Sequence, residues 1–105
     1  MNTDYTFFKN LVGEVDIPKN GILSRTLFSD SHLKVIVFGF DQGQEPSKHT
    51  AGSAAVIHIL KGEAHLAFGD VSTDVSEGAW VHMKPRLEHA VFAKTPMTML
   101  LLMIE

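Results

Sequence analysis

The chain has 105 residues and contains no cysteine. Without thiols it can form no disulfide bond, no thiolate metal site and no cysteine nucleophile. It also lacks a long apolar run, because its most apolar stretch, Met97–Ile104, is far shorter than the roughly 20 residues that a membrane-spanning helix needs. The stability of the fold must therefore come from packing, within one chain or between copies of it.

Positive charge is scarce and dispersed. Nine Lys and Arg residues against 12 Asp and Glu residues give a formal net charge of −3, and the nine are scattered from Lys9 to Lys94. A nucleic-acid-binding protein concentrates such residues in a patch or stripe. The first residues also lack the charged-then-apolar order of a signal peptide. We therefore expect a cytoplasmic protein that binds neither nucleic acid nor membrane.

Sustained helical periodicity is absent, and only residues 5–11 suit a short helical turn. From Ile17 onward the chain consists of short β-rich runs separated by turn residues, with Gly69-Asp70 as a tight hairpin turn. The predicted strands are residues 22–28, 32–40, 54–61, 63–68, 71–75, 80–84, 89–93 and 97–104. Eight strands without a crossover helix predict an all-β antiparallel domain over residues 17–105, preceded by an N-terminal segment of residues 1–16.

Glycines and histidines recur at two distinctive spacings. Five residues separate Gly43 from His49, ten separate Gly78 from His89, and fifteen separate Gly62 from Gly78. These spacings resemble the two signature motifs of the cupin family, and the resemblance covers residues 43–93. It implies a small RmlC-like jelly-roll barrel, also described as an antiparallel double-stranded β-helix. Fold alone does not decide function, since one scaffold hosts many chemistries.

The family's metal ligands are only partly matched. In metal-binding cupins two histidines and a glutamate of the first motif, with the histidine of the second, hold one first-row metal. By position this chain keeps His49 and His89, whereas Ala51 and Ala55 stand where the second histidine and the glutamate are expected. Alanine offers no lone pair, and two imidazoles form a weak site unless other groups join them.

Strand alternation indicates which other histidines reach the interior. If Ala55 faces inward, so does Ile57, and His58 faces outward. By the same argument His82 lies opposite the apolar face of its strand, unless a β-bulge reverses the order. His58 and His82 are therefore better interpreted as interface or core residues, but they are the first candidates for completing a metal site. Further candidates are Gln44, Glu45 and Glu88.

The resemblance also implies a ligand pocket inside the barrel. Its predicted lining residues are His49, Ala51, Ser53, Ala55, Ile57, Arg86 and His89, with Ile59 further along the same wall. Two alanines in place of a histidine and a glutamate enlarge the cavity and remove charge. We therefore expect a small molecule that is apolar or mildly anionic.

Three functions stay open. The first is a protein that binds a small molecule in the barrel, with a degenerate or absent metal site. The second is a metal-dependent enzyme of the dioxygenase or isomerase type, in which Fe, Mn, Ni or Zn is held by His49 and His89 together with His58 or His82. The third is a dimerising scaffold with a vestigial pocket.

Residues 97–104 are apolar on both faces of their predicted strand. In strand 54–61, Val56 and Leu60 make the face opposite Ile57 apolar as well. A strand buried on both faces needs cover on its second side. Either a second subunit or the N-terminal segment, with Phe7 and Phe8, can supply it. We therefore predict a homodimer, an arrangement that is common among cupins.

Overall fold

A computed structural model describes residues 4–46 and 52–105. A 3₁₀ helix, Val12–Glu14, precedes eight strands. These are β1 (Ile22–Ser29), β2 (Leu33–Phe40), β3 (Ala54–Lys61), β4 (Glu63–Phe68), β5 (Val71–Ser76), β6 (Trp80–Met83), β7 (His89–Ala93) and β8 (Met97–Ile104). Predicted and observed strand ends agree to within one residue. The helical turn predicted at residues 5–11 is wrong, because the one helical turn in the described chain follows it.

The strands form two antiparallel sheets that pack face to face. The first has five strands in the order β1-β2-β8-β3-β6, and the second has three in the order β5-β4-β7. Alternate residues of each sheet enter one shared core, such as Ala55, Ile57 and Ile59 of β3 and Ala64 and Leu66 of β4. This confirms the predicted all-β double-sheet jelly roll. No helix in the described part of the chain is long and apolar enough to cross a membrane.

The chain passes from the first sheet to the second at Gly62, between β3 and β4. Gly62 has a φ of +87°, which lies in the left-handed region. A Cβ on this residue would clash with the carbonyl oxygen of Pro96 and with Met97, at the start of β8. Only glycine meets both demands, a left-handed backbone and the close approach of a second chain segment. Gly62 therefore fixes how closely the two sheets join at this corner.

The N-terminal segment lies on the outer face of the five-stranded sheet. Gly39 of β2 has the opposite parity to the core residue Phe40, and a Cβ on it would collide with the carbonyl oxygen of Asp16. Arg25 of β1 donates to the carboxylate of Glu14 at 2.9 Å. The segment thus covers part of the outer face within the same chain, and Val37, which shares the parity of Gly39, is fully buried. The homodimer stays a prediction, which the mass measured by light scattering at several micromolar concentrations would test.

Candidate functional site

A cavity of about 250 Å³ lies inside the barrel, between the two sheets. Its described lining residues are Phe38, Phe40, Pro46, Ile57, His89, Val91, Met99 and Leu101. Strand register brings the walls together, because Phe38 pairs with Met99, and Ile57 pairs with Leu101. The lining is therefore apolar and partly aromatic, with one imidazole.

His89 is the one ionisable side chain among these lining residues, and it is only 6% exposed. It opens β7, and its Nδ1 lies 3.1 Å from the carbonyl oxygen of Leu87. A carbonyl can only accept, so Nδ1 carries a hydrogen and donates it. In the neutral ring the lone pair is then on Nε2. His89 therefore has one donor nitrogen, used by Leu87, and one acceptor nitrogen.

Among the described residues, Ile57 and His89 are the predicted pocket residues that line the cavity. Ala55 lies on the same inward face of β3, in the core cluster, but does not line the cavity. Ser53 precedes β3, and its hydroxyl is buried with no hydrogen-bond partner among the described residues. Arg86 is exposed and outside the lining set. His49 and Ala51, two further predicted residues, lie outside the described residues.

Arg86 occupies the position at which the cupin motif has glycine, and its backbone shows the consequence. Its φ is +68°, a left-handed conformation that costs an ordinary residue roughly 1–2 kcal/mol. The arginine therefore retains a glycine-like backbone in the loop between β6 and β7. We find nothing in the described contacts that compensates for this strain.

His58 and His82 lie on the far side of the sheet from the cavity. In the β3–β6 pairing His58 is opposite Trp80, and Val56 is opposite His82. These four residues alternate with Ile57, which lines the cavity, so the sheet itself separates the two histidines from His89. Glu45 and Glu88 are exposed. Within residues 4–46 and 52–105 no group of three or more His, Asp or Glu side chains is placed to hold a metal ion.

Sequence reasoning missed most of the cavity wall. Phe38 and Phe40 alternate along β2, which was a usable signal for an inward face. Met99 and Leu101 of β8 carry no such signal, because Leu100 and Leu102 between and after them are equally apolar. Val91 follows His89 by two positions and shares its face. The missed residues lie on β2, β7 and β8 and in the loop at Pro46, which only the tertiary fold brings to the same cavity as Ile57.

Comparisons with known proteins give the family. The cupin domain profile matches residues 36–105. A conserved protein of unknown function from Streptococcus pyogenes has 31% identity and a TM-score of 0.85, over 100% of this chain and 92% of its own. A cupin superfamily protein from Desulfitobacterium hafniense has 23% identity and a TM-score of 0.84, over 90% and 86% of the two chains. No curated protein matches. The chain belongs to the cupin domain family.

Proposed function

We propose that the protein binds a small, largely apolar molecule in the barrel cavity, with His89 as its polar anchor. The observation that carries this proposal is the composition of the described cavity wall, whose residues within 4–46 and 52–105 are apolar apart from one buried imidazole. Small-molecule sites typically combine such a wall with a few polar groups that set orientation. The 250 Å³ volume lies just below the usual range of about 300–1,000 Å³, so the guest is a compact molecule.

The tautomer of His89 determines which polar group on a guest would be complementary to it. Because Nδ1–H donates to the carbonyl oxygen of Leu87, Nε2 is the acceptor nitrogen of the neutral ring. A guest that donates a hydrogen bond, such as a phenol, an alcohol or an amide N–H, is matched to an acceptor of this kind. A guest without a donor cannot form that hydrogen bond, which is worth about 1 kcal/mol net. The site therefore selects for a donor as well as for size.

The metal site that other cupins use has a poor donor set here. Ala55 holds the carboxylate position, and its side chain is buried among apolar residues of the core. His58 and His82 are separated from the cavity by the sheet. Among the described residues, His89 alone occupies a family ligand position with a coordinating atom. These residues do not fit the family's metal centre.

The metal content of the purified protein tests the alternative of a metal-dependent enzyme. We expect protein prepared without an affinity tag to hold well below one transition-metal ion per chain, even after incubation with Fe(II), Mn(II), Ni(II) or Zn(II). Elemental analysis by mass spectrometry gives the stoichiometry. One tightly held ion per chain, lost in His89→Ala, would contradict the proposal and favour the metal-dependent enzyme.

Titration with phenol and toluene tests the proposed binding site. The two molecules are nearly the same size, but only phenol can donate a hydrogen bond to His89. We expect both to shift the NMR signals of Val91, Met99 and Leu101, with phenol binding about tenfold more tightly. In His89→Leu, a variant that removes the acceptor, the preference should reverse. Absence of shifts at the lining residues with either compound would refute the proposal.

A further inference from the structure

A second group of polar side chains lies on the opposite surface, away from the cavity. His65 of β4 pairs with Asp74 of β5 in the strand register, and Ser72 is its diagonal neighbour two residues earlier on β5. The three residues alternate with Ala64, Leu66 and Val75 of the core, so they share the outer face of the three-stranded sheet. Lys94, just after β7, adjoins them. We call these four residues the outer cluster.

Hydrogen bonds connect the outer cluster in a defined order. His65 Nδ1 lies 2.8 Å from Asp74 Oδ1, and His65 Nε2 lies 2.5 Å from Ser72 Oγ. A carboxylate only accepts, so Nδ1–H donates to Asp74, and in the neutral ring Nε2 accepts from the Ser72 hydroxyl. These are the same two hydrogen bonds, between the same types of atom, that join serine, histidine and aspartate in acyl-transfer enzymes.

Asp74 is held in its charged form. Its hydrogen bond with His65 has the larger effect and the one with Lys94, at 3.0 Å, the smaller. Together they keep the pKa of the Asp74 carboxyl group below the usual range. An ionised carboxylate next to Nδ1 orients the imidazole and stabilises the imidazolium that forms when Nε2 takes up a proton. The arrangement therefore favours removal of the Ser72 hydroxyl proton by His65.

We propose that Ser72 is a nucleophile toward activated acyl and phosphonyl groups, with His65 as its general base and Asp74 as the residue that positions His65. In this step a bond forms between Ser72 Oγ and the electrophilic carbon or phosphorus. The bond from that atom to its leaving group breaks. The hydroxyl proton passes to His65 Nε2 and from there to the leaving group. The electrophile supplies the leaving group, so no other reactant is required.

Exposure of the outer cluster decides the class of substrate. The side chains of His65 and Asp74 are 44% and 62% exposed, so the reaction takes place in water. A general base contributes about 10²–10⁴-fold to such a reaction. Amide cleavage additionally relies on donors preorganised around a developing oxyanion in a water-excluded site. Esters and related compounds with a good leaving group are the class that Ser72 and His65 can attack without such a site.

Labelling with a fluorophosphonate tests the nucleophile directly. The reagent forms a P–O bond to serine and releases fluoride, and its adduct is located by peptide mass spectrometry. Ser76 is a matched internal control, because it lies on the same strand and face but pairs with Glu63 rather than a histidine. We expect Ser72 in the intact protein to react at least about tenfold faster than Ser76. His65→Gln should abolish that difference, with circular dichroism confirming that the variant is folded.

Two outcomes would overturn the nucleophile proposal. One is a Ser72 labelling rate no higher than that of Ser76. The other is a fast Ser72 reaction that persists in His65→Gln. Neither outcome would affect the proposal for the cavity, because the outer cluster and the cavity lining share no residue. The phenol titration tests that proposal independently.

Asp74 and Lys94 give predictions of different size, which separates positioning from a simple structural role. Asp74→Asn removes the charge that orients His65 and should slow labelling of Ser72. Lys94→Ala keeps the carboxylate and its bond to His65, so it should slow labelling much less than Asp74→Asn. If both variants slow the reaction equally, Asp74 serves only to pair the strands, and its positioning role is refuted.

Discussion

Replacing Gly62 by alanine should destabilise the protein by about 3 kcal/mol. Part of this loss is backbone strain, since a left-handed φ costs an L-residue roughly 1–2 kcal/mol. The remainder comes from the new methyl group, which would meet Met97 Cα at 2.9 Å and the carbonyl oxygen of Pro96. These are mainly backbone atoms, so the start of β8 must shift to relieve the clash. Denaturant unfolding at a fixed protein concentration measures the change.

Gly78→Ala is the matched control for this experiment. Gly78 has a similar φ of +97°, but a Cβ there has no described neighbour within 4 Å. The control should therefore lose only the strain, about 1 kcal/mol. Equal losses in the two variants would mean that the β3–β4 corner and the start of β8 do not approach as the structure shows. A smaller loss in Gly62→Ala than in the control would contradict the packing argument outright.

Filling the cavity should abolish ligand binding with little loss of stability. Val91 lines the cavity and is only 4% exposed, so the larger side chain of Val91→Phe is directed into it. In a close-packed core, inserting extra atoms typically costs about 1–3 kcal/mol. In Val91→Phe the phenyl ring occupies space that is empty in the cavity. We therefore expect the free energy of unfolding to fall by less than about 1 kcal/mol. Phenol binding should weaken by more than about thirtyfold, or about 2 kcal/mol.

Val71→Phe introduces the same change outside the cavity. Val71 begins β5 and is 45% exposed, so this variant should bind phenol as the unmodified protein does. If Val91→Phe retains normal phenol binding, the guest binds elsewhere. If it unfolds, the milder Val91→Ile still reports on the site, because a smaller reduction in volume should weaken binding in proportion.

The strand boundaries could be predicted because local signals mark them. Turn residues such as Gly69-Asp70 and alternating apolar residues as in β3 act over a few positions, so they are visible in the sequence. The inward face of β8 could not be predicted in this way. Met99 and Leu101 point into the barrel while Leu100 and Leu102 point away, and all four are equally apolar. Only the pairing of β8 with β2 and β3 distinguishes them.

The outer cluster was missed although the sequence held the information. His65 lies between Ala64 and Leu66, and alternation along β4 alone does not indicate a polar partner for it. A two-residue loop at Gly69-Asp70 pairs Phe68 with Val71, and counting back along both strands pairs His65 with Asp74. The cluster is thus a consequence of hairpin register. Motif position predicted Ile57 and His89 as lining residues, and strand alternation predicted that His58 and His82 face away from them.

That hairpin register links the two sides of the smaller sheet. A slip of one residue between β4 and β5 would exchange the faces of every side chain on the slipped strand. On β5 it would turn Ser72 and Asp74 toward the core and Val75 toward solvent, so the protein would lose a buried contact and its surface cluster together. Insertions in the Gly69-Asp70 loop should accordingly disturb both faces of the smaller sheet at once.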